Sequence, residues 1–293
     1  MSKLKKIAFI GGDARSCAMA SRLAELGYTI HTYALGTCGD MVEAAPSLDA
    51  ALEECTAVIL PMPAFDAQMQ LPHPLSSVSV PDAAELFDRI GSSVPVFGGR
   101  VSPAVFALAS DRAVNISDYA VSDEVLIRNA VPTAEGAIAI AMRELDVTLH
   151  GARMAVLGFG RIGFALATRM HALGADVTVA ARKPRDVARI EGVGCHAVHL
   201  DGETALRQLL MGDYDIIFNT IPYRLISDEM LDSVSPDTVM VELASAPGGW
   251  NPSAACACRT VYAPGLPGIC APRSAGIILA DALAMTLKEV TDK

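Results

Sequence analysis

Met154-Ala-Val-Leu-Gly-Phe-Gly-Arg-Ile-Gly163 is the stretch whose reading decides the fold. Its apolar opening reads as a buried parallel strand that runs straight into Gly158-x-Gly160-x-x-Gly163, and a helix-like run over 164–173 follows at once. Each glycine has a physical reason. Gly158 permits the tight turn, Gly160 lets the backbone approach a pyrophosphate, and Gly163 lets the helix pack close on the strand. The phosphates of a dinucleotide then rest on the free N–H groups and positive dipole end of that helix, with Arg161 and Ile162 in its first turn. A second strand over 176–181 supplies the context that an isolated Gly-rich turn lacks.

The end of that second strand bears on which dinucleotide is bound. An NAD-binding chain places Asp or Glu there to hold the ribose hydroxyls. Here the residues are Ala181-Arg182-Lys183-Pro184, with no carboxylate at the turn. Arg182 and Lys183 are placed to meet a 2′-phosphate, the guanidinium through two parallel hydrogen bonds and the ammonium as a compact charge. NADP is therefore the expected cofactor, with NAD the alternative; the structural explanation is a pair of solvated loop cations.

Composition narrows the classes. A chain of 293 residues suits two domains, and an apolar content of 52% excludes disorder. With 23 basic against 33 acidic residues the net charge is −10, which argues against a nucleic-acid partner. The seven cysteines are scattered, and Cys256-x-Cys258 is too tight and too isolated for zinc, so reduced thiols and no metal site are expected. The opening Lys3-Leu-Lys-Lys-Ile-Ala-Phe-Ile imitates a signal peptide, but the run stops at Gly11 and reads better as a first strand. No apolar run reads as long enough to span a bilayer, Asp281 interrupting the best C-terminal candidate. A cytoplasmic protein with no membrane contact is expected.

Upstream, Ile7-Ala-Phe-Ile10 is a strand ending in Gly11-Gly-Asp13-Ala-Arg15, followed by helical spacing over 17–26 and a strand over 28–34. Further strand candidates lie at 57–60 and 94–97, and beyond the glycine turn at 195–199, 215–218 and 238–241. Strands alternating with helices imply parallel sheets with right-handed crossovers. The expected fold class is α/β, with two Rossmann-like doubly wound parallel-sheet domains around an interdomain cleft. The boundaries read as a substrate-side domain over 1–130, completed by a C-terminal helix over 274–293, a linking helix over 131–150, and an NADP-binding domain over 151–273.

Candidate binding residues follow from strand ends, where such sheets place their ligands. Arg15 either takes a substrate carboxylate or pairs with Asp13 or Glu25; Arg100, after Gly98-Gly99, is a weaker candidate. The segment 61–81 carries five prolines and reads as an irregular connection. In Asn129-Ala-Val-Pro132-Thr133-Ala-Glu135-Gly136, the proline suits a helix start, where its missing N–H is unpaired anyway. Thr133 and Glu135 then fall in the first turn, where the dipole favours a carboxylate, or they face the cleft and with Asn129 touch substrate or nicotinamide. Asn219-Thr-Ile-Pro222 ends another strand, so Asn219 and Pro222 are cofactor contacts or turn formers. The stretch 242–272 is rich in proline and glycine and is expected to line the cleft as a loop, and Arg273 beyond it is a second carboxylate ligand.

Taken together these segments resemble the A subunit of dipicolinate synthase from spore-forming bacteria. The resemblance is carried by Gly11-Gly-Asp-Ala-Arg15, Pro132-Thr-Ala-Glu-Gly136, Gly158-Phe-Gly-Arg-Ile-Gly163 and Asn219-Thr-Ile-Pro222. Leu243-Ala-Ser-Ala-Pro-Gly-Gly249 and Ala263-Pro-Gly-Leu-Pro-Gly-Ile-Cys-Ala-Pro272 are its most specific parts, and 35–95 matches least. It implies a pyridine-nucleotide-dependent oxidation of a dihydro- or hydroxytetrahydrodipicolinate precursor to dipicolinate in the mother cell during sporulation. It also implies a second, flavoprotein-like B subunit; a homo-oligomer is expected besides.

In that chemistry the small dicarboxylate substrate needs local cations, for which Arg15 and Arg273 are the candidates. Glu135 is the candidate general base, with Tyr223 behind it. Two rivals stay open. A 2-hydroxy-acid or shikimate-type dehydrogenase shares the two-domain plan, but the last histidine is His199 and no Lys–Asp pair of the shikimate type is found. A non-catalytic NADP-binding scaffold or sensor is the other.

Overall fold

The computed structural model describes residues 5–291. The chain divides into two compact units, Met1–Arg128 with Ala271–Lys293, and Asn129–Cys270. The first unit runs β1 (Lys6–Ile10), α1 (Ala14–Glu25), β2 (Thr29–Tyr33), β3 (Val42–Ala44), α2 (Leu48–Leu52), β4 (Ala57–Ile59), α3 (Ala83–Ile90), β5 (Val96–Gly98), α4 (Pro103–Asp111) and β6 (Ile116–Asp118). Helix α5 (Asp123–Glu144) carries the chain into the second unit. There it runs β7 (Arg153–Leu157), α6 (Arg161–Ala172), β8 (Asp176–Ala181), α7 (Pro184–Gly192), β9 (His196–His199), α8 (Glu203–Leu210), β10 (Ile216–Asn219), α9 (Asp228–Asp232), β11 (Val239–Glu242), β12 (Arg259–Tyr262) and α10 (Leu266–Cys270). Helix α11 (Pro272–Thr291) returns to the first unit.

Both sheets have six parallel strands and the same winding, β3-β2-β1-β4-β5-β6 and, read from its other edge, β9-β8-β7-β10-β11-β12. This bears out the expected pair of doubly wound sheets. Their central strands are apolar but for end residues such as Lys6, Arg153 and Asn219, because both faces are covered. Successive residues of β7 serve opposite layers: Met154 and Val156 join the core that holds α5 and α6, while Ala155 and Leu157 join the core beneath α8 and α9. In β1, Ile7 and Phe9 face α1 and α11, and Ala8 and Ile10 face α2, α3 and α4. Helix α11 contributes Leu279, Leu283 and Leu287 at helical spacing, each burial stabilising by about 1.5–3 kcal/mol, and Asp281 accepts a 2.8 Å hydrogen bond from Arg22 of α1.

Several sequence expectations need correction. Strands β3, β6 and β12 were not anticipated; each is an edge strand of three or four residues with exposed positions, too short for a periodic signal. The stretch 242–272 is accordingly not all loop, for it holds β12 and α10. The linking helix is longer than expected and begins earlier. Pro132 lies inside the 22-residue α5 rather than at its start, and so Thr133 and Glu135 lie in mid-helix, away from any terminal dipole. With no N–H, Pro132 cannot bond the carbonyl of Arg128, which is where the two units divide. By length and composition α5 could also cross a membrane, contrary to expectation, but half of its apolar window is buried within the protein, where Ala130, Ala134 and Ala137 pack in a core. The thiols are not all free. The turn after β2 folds back over α1 and joins Cys38 to Cys17 in a disulfide, with Cα atoms 4.7 Å apart.

Candidate functional site

The site is built at the end of β7. Gly158 has φ +97°, and its N–H donates to the Ala180 carbonyl at 2.9 Å, so the strand turns while still tied to β8. A β-carbon at Gly163 would overlap the Gly158 carbonyl oxygen, which fixes how closely α6 packs on the turn. A β-carbon at Gly160 would meet nothing within 4 Å, so here the backbone lies open to a ligand. Gly160 is the N-cap of α6 and offers no side-chain acceptor, and no acidic residue lies in the first turn. The N–H groups that begin a helix need partners, and with the helix dipole they form an anion site. Gly160 and Arg161 are exposed and Ile162 is half-buried.

The equivalent turn of the first unit is filled by the protein itself. Asp13 caps α1, its carboxylate accepting from Arg15 N at 2.9 Å, so an anion already sits where a phosphate would. The Leu71 side chain lies against Gly11, and Gly12 N donates to the Pro72 carbonyl at 2.8 Å. The proline-rich segment 61–81 thus covers this crevice, and two sheets of identical winding offer one open phosphate turn.

At the end of β8, Arg182 and Lys183 are exposed, and Lys183 is the N-cap of α7 without a side-chain cap bond. The next carboxylate along the chain, Asp186, is engaged by Arg189 at 3.3 Å and Arg185 at 3.7 Å. The Arg189 guanidinium lies over the rings of Phe159 and Phe164, 5.4 and 5.8 Å from their centroids, and braces the turn from the α7 side.

The ends of β10 and β11 hold a pair that sequence reasoning half missed. Asn219 is fully buried: its Nδ2 donates to the Ile221 carbonyl at 3.0 Å and to Glu242 Oε1 at 2.8 Å, and its Oδ1 accepts from Ile221 N at 3.1 Å. The side chain is a turn former with no face left for a ligand, while Pro222 beyond it is exposed. Glu242, 1% exposed, also accepts from Ala244 N at 2.9 Å and Gly249 N at 2.6 Å. Burial pushes its carboxyl above the usual range, against the pull of these three donors. The signal for it was a lone carboxylate closing an apolar strand, seven residues before Gly249.

The remaining candidates are divided between the units. In the first, Arg15 is paired with Asp13 at 2.7 Å and donates to the Met62 carbonyl at 2.6 Å. The buried Tyr119, whose hydroxyl burial pushes well above its usual range, donates to the Leu60 carbonyl beside it. Arg273 is exposed in the first turn of α11, and three residues on Gly276 packs against the backbone of Arg15. Asn129, Thr133 and Glu135 belong to the second unit. Thr133 is buried, its hydroxyl donating to the Asn129 carbonyl at 2.8 Å, Asn129 Oδ1 is buried with no partner, and Glu135 is exposed. No cluster that could hold a metal ion is found among the described residues.

Compared with known proteins, the chain is 33% identical over 290 residues to the A subunit of dipicolinate synthase from Bacillus subtilis, covering 97% of this chain and 96% of that one. The chain belongs to the dipicolinate synthase A-subunit family. Residues 6–120 match the model of that family's N-terminal domain. Two solved structures of dipicolinate synthase superpose on nearly the whole chain. The one from Bacillus subtilis has a TM-score of 0.85 and 32% identity, covering 100% of this chain and 98% of that one. The one from Bacillus halodurans has a TM-score of 0.89 and 30% identity, covering 98% and 99%. Residues 130–247 match the NAD binding domain of D-isomer specific 2-hydroxyacid dehydrogenases. In this member of the dipicolinate synthase A-subunit family, that match and the open turn support a nicotinamide dinucleotide in the second unit and an oxidoreductase role.

Proposed function

We propose that this chain is the pyridine-nucleotide-dependent subunit of a dipicolinate synthase, oxidising a dihydro- or hydroxytetrahydrodipicolinate precursor to dipicolinate. The observation that carries the reading is the exposed, uncapped Gly160 turn, in a chain similar from end to end to the A subunit of a dipicolinate synthase. The pyrophosphate lies on the N–H groups of α6, and Arg182 and Lys183 hold the 2′-phosphate of NADP. The bound nicotinamide supplies the hydride acceptor. The residues of this chain bind, orient and exclude water. Arg15 and Arg273 hold the two carboxylates of the substrate, Arg15 exchanging Asp13 for its ligand. Asn129, with its unpartnered Oδ1, and Thr133 are the further substrate contacts, and Glu135 takes the proton as the hydride leaves.

By resemblance, the chain works with a flavoprotein-like second subunit in the cytoplasm of a sporulating mother cell; a homo-oligomer is a separate part of the proposal. A second reading, a non-catalytic NADP-binding subunit, is favoured by the lack, among the described residues, of any hydrogen bond orienting the exposed Glu135. The test is dipicolinate formation and NADP reduction by the purified chain, with and without that partner. Turnover that requires this chain and its open turn supports the enzyme; nucleotide binding without turnover in the presence of both subunits supports the scaffold.

A further inference from the structure

A carboxylate inside an apolar core is costly unless every oxygen is satisfied, and a core needs none. Glu242 is such a group. All three of its partners are donors: Asn219 Nδ2, Ala244 N and Gly249 N. They come from two separate segments, the turn 219–222 after β10 and the loop 243–249 after β11. Asn219 and Glu242 are register partners on these neighbouring strands, so one side chain ties both strand ends together.

The surrounding sequence is shaped to this carboxylate. Gly248 has φ +74°, and a β-carbon there would lie 3.0 Å from Glu242 Oε2; one at Gly249 would lie 2.5 Å from Asn219 Nδ2. The tie also reaches the dinucleotide turn. Thr220, next to Asn219, donates its hydroxyl to the Leu157 carbonyl at 2.8 Å, and its Oγ1 would be 2.6 Å from a β-carbon at Gly158. In a doubly wound sheet the far half of a dinucleotide lies over the strand ends beyond the point where the winding reverses, here β10 and β11.

We propose that Glu242, acting through Asn219, is the positioning residue for the nicotinamide half of the bound dinucleotide, holding 219–222 and 243–249 as one preformed surface. This rests on the dinucleotide reading of the second unit.

The test is titration of the full chain with NADPH and with 2′-phospho-ADP-ribose, which lacks the nicotinamide, in wild type, Glu242→Gln and Asn219→Ala. The glutamine turns an N–H toward a backbone N–H donor; the alanine removes the other half of the tie and keeps the test open should the first variant fold poorly. In both, NADPH affinity is expected to fall about tenfold or more while 2′-phospho-ADP-ribose changes by less than about twofold, with faster amide exchange over 244–249. Equal weakening of both nucleotides, as a general structural defect gives, or no change in either, overturns the assignment. A wild type that binds neither of these, nor NADH or ADP-ribose, removes the dinucleotide reading itself, an outcome distinct from the other two; one that binds only the latter pair is tested with NADH against ADP-ribose in the same variants.

Discussion

The Gly158 carbonyl oxygen occupies the space that a β-carbon on Gly163 would need. The two glycines are thus one contact between the end of β7 and the first turn of α6, and the shape of that turn depends on it. Gly163→Ala is expected to push the helix off the strand, lowering stability by about 1–3 kcal/mol. Nucleotide affinity should fall at least about tenfold. Urea unfolding together with NADPH titration checks both, and unchanged affinity would count against the open turn as the phosphate site.

Arg182 is exposed at the end of β8, and the next carboxylate along the chain, Asp186, is already engaged by Arg185 and Arg189. Arg182→Asp removes a phosphate ligand and installs a ribose ligand. The ratio of NADP to NAD affinity is expected to fall by about 10–100-fold, the range of a lost charge-assisted hydrogen bond. A ratio that stays put in parallel titrations would mean that another group reads the ribose.

Arg15 is held by Asp13 and the Met62 carbonyl, and only 13% of its side chain is exposed. Arg15→Ala is expected to raise KM for the dicarboxylate by about 10–100-fold and leave NADPH affinity unchanged. Arg15→Lys should restore only part of it, because a lysine cannot reproduce the planar fork. Steady-state kinetics with both subunits present decides this.

Glu144 ends α5 beside Arg143 and Arg259, the latter on β12, and these cations hold its carboxyl below the usual value of 4.5. A carboxyl lowered in the folded state contributes stability above its unfolded value and loses it as pH falls through the folded one. Glu144→Gln should therefore melt below wild type at neutral pH, and the gap should close as the solution is acidified past the carboxylate range. Thermal melts of both proteins from neutral to acid follow this; a gap constant with pH would exclude the charge as its cause.

Much of the fold is legible in local pattern. The apolar runs of β1, β7, β10 and β11 announce strands buried on both faces, and the spacing of Gly158, Gly160 and Gly163 announces the turn between strand and helix. The short edge strands β3, β6 and β12 lack such a pattern, because each packs one apolar side chain (Val42, Ile116 or Val261) on a core, too few to show a period. Pro132 misled for a related reason. Its preference for a first turn is small beside the burial of Ala130, Ala134, Ala137 and Ile140 on one face, which carries the helix through it.

What the sequence determined by itself is therefore what adjacent residues decide: the alternation of strand and helix, the open glycine turn, and the cations that follow β8. What only the tertiary structure decided is which polar groups remain available. Leu71 covers the first unit's turn, and Asn219 turns inward to Glu242, 23 residues further along the chain. A hydrogen bond satisfies a buried group whatever its distance in sequence, so these pairings leave no periodic trace and appear only once the strands are side by side.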